Sequence, residues 1–198
     1  LIYLVRHGQT EFNRDKRLQG QCDSPLTELG QDQARRMGTH LKALVDDHER
    51  WRIIASPLGR AAHTARIIRD TIGLKAQIEH DPRIQELHVG DWEGLDHAGI
   101  EAAAPGFTRE PGWLLRAPGG ERHDDIVARV TDFLSGIDET DGVNRIVVSH
   151  GITGRILRGI YTKATPEQIW GQNPPPQDAV FHLSGGAVRR IDIQDEAA

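Results

Sequence analysis

The chain carries a single cysteine, Cys22, among its 198 residues. That excludes an internal disulfide framework and a zinc site built from several thiolates, and it fits a reducing compartment. No apolar stretch approaches the ~20 residues of a membrane-spanning helix, and the opening Leu1 to Val5 is too short for the apolar region of a signal peptide. The corresponding expectations are no membrane partner and a cytoplasmic location. Positive charge is not in excess: Lys and Arg total 24 against 29 Asp and Glu, a formal net charge of -5. Non-specific nucleic-acid binding needs a basic surface, so no nucleic-acid partner is expected and any anionic ligand must find local positive charge. Low-complexity tracts are missing too, and the length suits one well-buried domain over residues 1–198.

What is present is an alternation of short β-branched runs with helical patterns, the signature of an α/β protein whose mostly parallel central sheet is covered by helices on both faces, a three-layer α/β/α sandwich. Strands are expected at Ile2 to Arg6, Trp51 to Ala55, Ala76 to Glu79 and Arg145 to Ser149. Between them, apolar Leu29, Ala34, Met37, Leu41 and Leu44 recur at helical spacing over Thr27 to Val45, with Thr27 as N-cap. Leu58 to Ile72 forms a second helix closed by Gly73, Glu121 to Ile137 a third and Ile152 to Tyr161 a fourth. The stretch around 87–120, rich in Gly, Pro and Trp with a short helical piece at Ala98 to Ala104, is expected to be a capping or substrate-facing insertion. Pro174, Pro175 and Pro176 lack amide donors and must lie in a loop. Ala179 to Leu183 and Val188 to Ile193, joined through Gly185 and Gly186, form a closing hairpin.

Two of these strands end in the same way. Leu1 to Val5 leads into Arg6-His7-Gly8, and Ile146-Val147-Val148 leads into Ser149-His150-Gly151. In open α/β sheets ligands bind beyond the carboxyl ends of the strands, so both imidazoles face one site. The second strand delivers Ser56 and Pro57, with Arg60 in the first turn of the following helix. Two arginines and two histidines beside helix N-termini form an anion site, and Arg matches phosphate oxygens in a bidentate way. A neutral imidazole is also a competent nucleophile if its other nitrogen is held protonated. In-line attack by His7 on phosphorus gives a phosphohistidine, with Arg6, Arg60 and a protonated His150 meeting the charge on the equatorial oxygens. A carboxyl group must protonate the leaving alcohol. Glu86, between a predicted strand and an aromatic, glycine-rich stretch, is the first candidate, with Asp91 and Glu93 as rivals.

Arg6-His7-Gly8-Gln9-Thr10-Glu11-Phe12-Asn13 resembles the R-H-G-x-[ST]-x-x-N signature of the histidine phosphatase superfamily, which includes the cofactor-dependent phosphoglycerate mutases. The similarity continues in family order through Leu18-Gln19-Gly20, Pro25 to Gly30, Ser56 to Ala61 with Thr64 and Ala65, the Glu86 segment, Pro118 to Glu121, and Ser149-His150-Gly151. The resemblance implies a phosphoglycerate mutase-like three-layer fold with His7 as the transiently phosphorylated nucleophile. It further implies a phosphate pocket of Arg6, Arg60 and His150 with the backbone of Gly8 and Gly151, bordered by Asn13, Gln19 and Gly20, and Glu86 as proton donor and later base. It implies no metal and no cofactor.

The expected activity is hydrolysis of a small phosphorylated metabolite. Mutases of this family carry Glu-Arg-His-Tyr after the acid and an insertion with paired arginines. This chain has Glu86-Leu87-His88-Val89, and in its short insertion Arg109 and Arg116 are not adjacent, so the mutase is the alternative. A non-catalytic phosphate-binding domain and a metal-dependent hydrolase are further alternatives. The first is opposed by the presence of both His7 and Glu86, the second by histidines scattered without ligand spacing. Trp92 and Trp113 are expected to line the substrate pocket, Trp51 and Trp170 to pack in the core or at a contact surface. Arg122, at a helix start, is expected in solvent. Exposed Trp or the final edge strand would be the surface of any homodimer.

Overall fold

The computed structural model describes residues 1–106, 112–173 and 175–193; Arg109 and Pro174 lie outside them. Six strands form one sheet in the order β3-β2-β4-β1-β5-β6. They are β1 (Ile2–Arg6), β2 (Trp51–Ala55), β3 (Ile78–His80), β4 (Asn144–Ser149), β5 (Ala179–Ser184) and β6 (Ala187–Asp192). β1 to β4 run parallel, and β5 and β6 add an antiparallel hairpin with β5 against β1 and β6 at the edge.

Strand alternation sends β1 to both faces. Ile2 and Leu4 join Val147, Phe181 and Leu183 in one core, beneath α5 (His123–Ser135) and α6 (Gly151–Tyr161). Tyr3 and Val5 join Trp51, Ile53, Ile146, Val148 and Val180 in the other, beneath α2 (Glu28–Lys42) and α3 (Gly59–Ile72). Each such fully buried Ile, Leu or Val contributes about 1.5–3 kcal/mol. Among the described residues there are three shorter α-helices, α1 (Glu11–Arg14), α4 (His97–Ala103) and α7 (Pro166–Gly171).

The expected helices appear within two or three residues of their anticipated ends, with Thr27 capping α2 through Gly30 N–H and Gly73 closing α3 in the left-handed conformation. Residues 76 and 77 lie outside β3, which starts two residues later than expected. In α2 the core-facing stripe is Gly30, Ala34, Met37, Gly38 and Leu41, while Leu29 and Leu44 are 47% and 38% exposed. Small residues replace the anticipated leucines because α2 lies close against its neighbours. Gly8, following His7, crosses Gly30 so closely that a Cβ on it would stand 2.1 Å from the Gly30 carbonyl oxygen. The loop after β1 is thereby pressed onto the first turn of α2, which fixes where His7 begins.

Candidate active site

Three adjacent strands, β2, β4 and β1, end side by side and deliver Ser56, His150 and His7. His7 N–H continues the ladder to Ser149 O at 3.0 Å, and Ser56 N–H bonds Val148 O at 3.0 Å. Both imidazoles are buried, with ring centroids 5.1 Å apart. His7 Nδ1 lies 2.8 Å from its neighbour's carbonyl, Gly8 O. A carbonyl only accepts, so Nδ1 carries the proton and Nε2 keeps its lone pair. Burial first, then the positive charges of Arg60 and Arg6, hold the His7 pKa well below its ordinary value. The ring is therefore neutral at pH 7.

His150 departs from the expected protonated state. Burial, aided by Arg60, His7 and Arg6, pushes its pKa well below 6.5 as well, so it too is neutral. A neutral His150 can still donate. Ser56 Oγ accepts from Leu58 N–H at 3.3 Å and stands 2.7 Å from His150 Nε2. If the hydroxyl proton points to Nε2, the ring proton sits on Nδ1, a buried nitrogen with no protein partner. The arrangement offers a hydrogen-bond donor to an anion without a charged imidazole.

Arg60 is 1% exposed at the start of α3. Its Nη2 donates to Gly20 O at 2.6 Å and its Nη1 to Cys22 O at 2.9 Å and Asp23 Oδ1 at 3.1 Å. Gly20 is left-handed, and a Cβ there would meet Glu93 Oε1 at 2.3 Å. Arg6 Nη1 donates to Pro175 O at 2.9 Å. The Nε atoms of both arginines are buried without a partner, which leaves each guanidinium with a donor still to satisfy.

Glu86 is held by α6. Its Oε1 accepts from Thr153 N–H and Leu87 N–H, each at 3.0 Å, and its Oε2 accepts from Ile152 N–H at 3.1 Å. Oε2, with the single contact, is the oxygen 3.6 Å from the place of a Gly151 Cβ, where Arg6 also approaches. Arg129 fixes the backbone beneath. It forms a two-pronged pair with Glu121 and donates to Arg83 O at 2.7 Å and Gln85 O at 2.9 Å.

The rivals of Glu86 are placed elsewhere. Asp91 is exposed, and Glu93 accepts from Gln21 N–H and Cys22 N–H at 2.7 and 2.8 Å, bracing the Gly20 loop. Arg6, His7, Asn13, Gln19, Gly20, Arg60, Glu86 and Gly151 all line one cleft of about 240 Å³. Asn13 Oδ1 accepts from Gln177 Nε2 at 2.9 Å, and Gln19 Oε1 is buried without a partner. Arg17, Leu114, Arg155 and Trp170 line the outer part. The tryptophans depart from expectation in part: Trp92 and Trp113 are not in the cleft lining, whereas Trp170 packs against the core as expected and also reaches the cleft. Trp92 is 2% exposed in the core against Trp113, and Trp170 lies at the cleft, while Trp51 packs in the core as anticipated. Arg122 is exposed at the N-cap of α5.

Fold and cleft together define an α/β protein that gathers paired histidines and arginines at the carboxyl ends of its parallel strands. The chain belongs to the histidine phosphatase superfamily (branch 1), whose family model matches residues 2–184. Among curated relatives, a protein of Salmonella paratyphi C named "Probable phosphoglycerate mutase GpmB" is 37% identical over 201 aligned positions, covering 98% of this chain and 85% of the relative. Among solved structures, Bacillus stearothermophilus YhfR superposes with a TM-score of 0.79 at 33% identity, over 99% of this chain and 97% of that one. A mycobacterial glucosyl-3-phosphoglycerate phosphatase, in complex with VO3, gives a TM-score of 0.76 at 30% identity over 96% of each chain.

The two neutral rings have a consequence for stability. Their folded pKa values lie below the 6.5 of a free imidazole. Below pH 6.5 the unfolded chain therefore binds protons that the folded chain refuses, and stability falls as pH falls. Largely present at pH 7.5 and above, it is expected to drop by about 2 kcal/mol between pH 6.5 and 5.5, roughly 1 from each ring, as the free imidazoles go from half to nearly full protonation. Urea unfolding between pH 6.5 and 5.5 in phosphate-free buffer measures this. His150→Asn should remove about half of the slope, and an unchanged slope would mean that the ring accepts its proton in the folded state.

Proposed function

We propose that the protein is a metal-independent phosphomonoesterase that hydrolyses a small phosphorylated metabolite through a phosphohistidine on His7. The observation that carries this reading is the Nδ1 contact of His7 with Gly8 O, which leaves Nε2 unprotonated beside two guanidinium groups with unused donors. Nε2 attacks phosphorus and the N–P bond forms as the P–O bond to the alcohol breaks. Arg6, Arg60, the Gly151 backbone and, with its proton on Nδ1, His150 face the phosphoryl oxygens, and Asn13, Gln19 and Gly20 border them. The Gly8 N–H is committed to Thr64 Oγ1 at 3.2 Å and its carbonyl to His7 Nδ1, so Gly8 acts through His7. Glu86 gives a proton to the departing oxygen. It then takes one from water, the hydroxyl oxygen displaces His7 from phosphorus, and inorganic phosphate leaves. No cofactor enters either step. Among the described residues, no group of three His, Cys, Asp or Glu side chains comes together as a metal ion would require.

The outer cleft supports a substrate whose alcohol half carries an anionic group. Leu114 and Trp170 offer apolar contact there, and Arg155, half buried over the Trp170 ring, has an Nε without a partner. The mutase named among the curated relatives is the second reading, because phosphoglycerate also presents a carboxylate beside its phosphate.

Hydrolysis of p-nitrophenyl phosphate, with EDTA and with vanadate, tests the main reading. Turnover resistant to EDTA and blocked by vanadate is expected, and loss of turnover in EDTA would overturn it. Net conversion of 3-phosphoglycerate to its isomer, primed with the bisphosphate and faster than phosphate release, would establish the mutase instead.

A further inference from the structure

A second cavity, of about 360 Å³, opens between α6 and the β5–β6 hairpin. Arg158, Arg190, Thr162, Gln172 and Asn173 line it together with apolar Phe181 and Val188. Among the described residues, no carboxylate lines it. Arg158 is the anomaly. It is 8% exposed, yet its partners among the described residues are neutral: Nε donates to Gly154 O at 3.3 Å, Nη2 to Asn173 O at 3.1 Å, and the guanidinium lies 4.2 Å from the Phe181 ring centroid. Among the described residues, Nη1 has no hydrogen-bond partner.

The charges around Arg158 sharpen the anomaly. Arg155 lies one turn earlier on α6 and Arg190 lies across the cavity, where the strand register sets it opposite Phe181. Burial and these two cations push the Arg158 pKa down to about 10, which still leaves it charged at pH 7. Arg190 is already paired with Asp192, both of them largely exposed. Arg158, by contrast, is a buried cation with neutral partners, an arrangement that costs free energy unless an anion joins it. None of these groups takes part in the steps assigned to His7 and Glu86.

We infer that the cavity is a second anion site, distinct from the catalytic pocket, which binds a phosphate-sized dianion through Arg158 Nη1, Arg190 and the side-chain amides of Gln172 and Asn173. Oxygens of a tetrahedral dianion suit the free edge of one guanidinium, with the second at the rim. Its position gives it a mechanical neighbour. Arg158 holds the loop at Asn173 O, and the same loop accepts from Arg6 at Pro175 O and donates to Asn13 from Gln177.

Inorganic phosphate, titrated calorimetrically at pH 7 and low salt, is the first probe. The wild type is expected to bind two phosphates per chain. Arg158→Gln should weaken one of these events at least ten-fold and leave the other, and Arg60→Gln should do the converse, so failure of either site is seen separately. A second event retained unchanged in Arg158→Gln would mean adventitious surface binding and would overturn the inference. If Arg158→Gln does not fold, tungstate soaked into wild-type crystals decides. An anomalous peak beside Arg158 Nη1 is expected, and a peak at His7 alone sinks the proposal.

Discussion

Replacing His7 by Ala is expected to lower turnover of a phosphate monoester by about four orders of magnitude or more, the scale seen when a covalent nucleophile is removed. The loss should fall on kcat. In the proposed mechanism Arg6, Arg60 and His150 bind the phosphoryl group without His7, so the affinity for phosphate should change only a few-fold. Substrate mixed with the wild type and quenched in alkali should leave phosphorus on the protein, because an N–P bond survives base and breaks in acid. His7→Ala should carry none. Labelling that persists in the variant, or turnover within ten-fold of wild type, would place the nucleophile elsewhere. The Gly8 carbonyl makes the substitution informative. With Nδ1–H committed to Gly8 O, Nε2 is the one ring nitrogen left to attack, so an Asn in place of His7 restores a hydrogen bond without restoring chemistry.

Much of this site was legible because its parts are announced locally. Apolar runs that stop at Arg6-His7-Gly8 and Ser149-His150-Gly151 identify the strand ends, and strand ends of an α/β sheet identify the cleft. What escaped are residues whose roles depend on distant partners. Arg129 reaches back 44 and 46 positions to the Gln85 and Arg83 carbonyls, Glu93 holds amides 71 and 72 positions away, and Asp23 meets Arg60 across 37. No spacing rule carries such pairs. The Leu29 error has a related cause, since hydrophobic periodicity favours large residues while close helix contact selected Gly30 and Gly38. The α7 helix did have a signal. Thr165-Pro166-Glu167-Gln168 is a capping box with Pro at N1, and both reciprocal hydrogen bonds form. Reading it would have placed Trp170 on a helix beside the cleft.

Glu86→Gln is expected to divide the two halves of the reaction. With an alkyl phosphate the leaving oxygen is a strong base and needs a proton, so kcat should fall by about 10²–10⁴-fold. The leaving group of p-nitrophenyl phosphate departs as a stable anion, and transfer to His7 should proceed with little loss. Hydrolysis of the phosphohistidine still needs a base, which Gln cannot supply. Mixing this variant with p-nitrophenyl phosphate should therefore release one nitrophenolate per chain in a burst and then nearly stop, with phosphorus retained on His7. The anchoring of the side chain makes the substitution tolerable: Oε1 can go on accepting from Leu87 and Thr153 N–H, and only the Oε2 contact with Ile152 N–H is lost to the amide nitrogen. A thermal melt within a few degrees of wild type is the accompanying expectation. Equal losses with both esters and no burst would assign the proton transfer to another group, and Glu93 would be excluded only by its own variant, whose effect should appear in the melting temperature through the loop at Gln21 and Cys22.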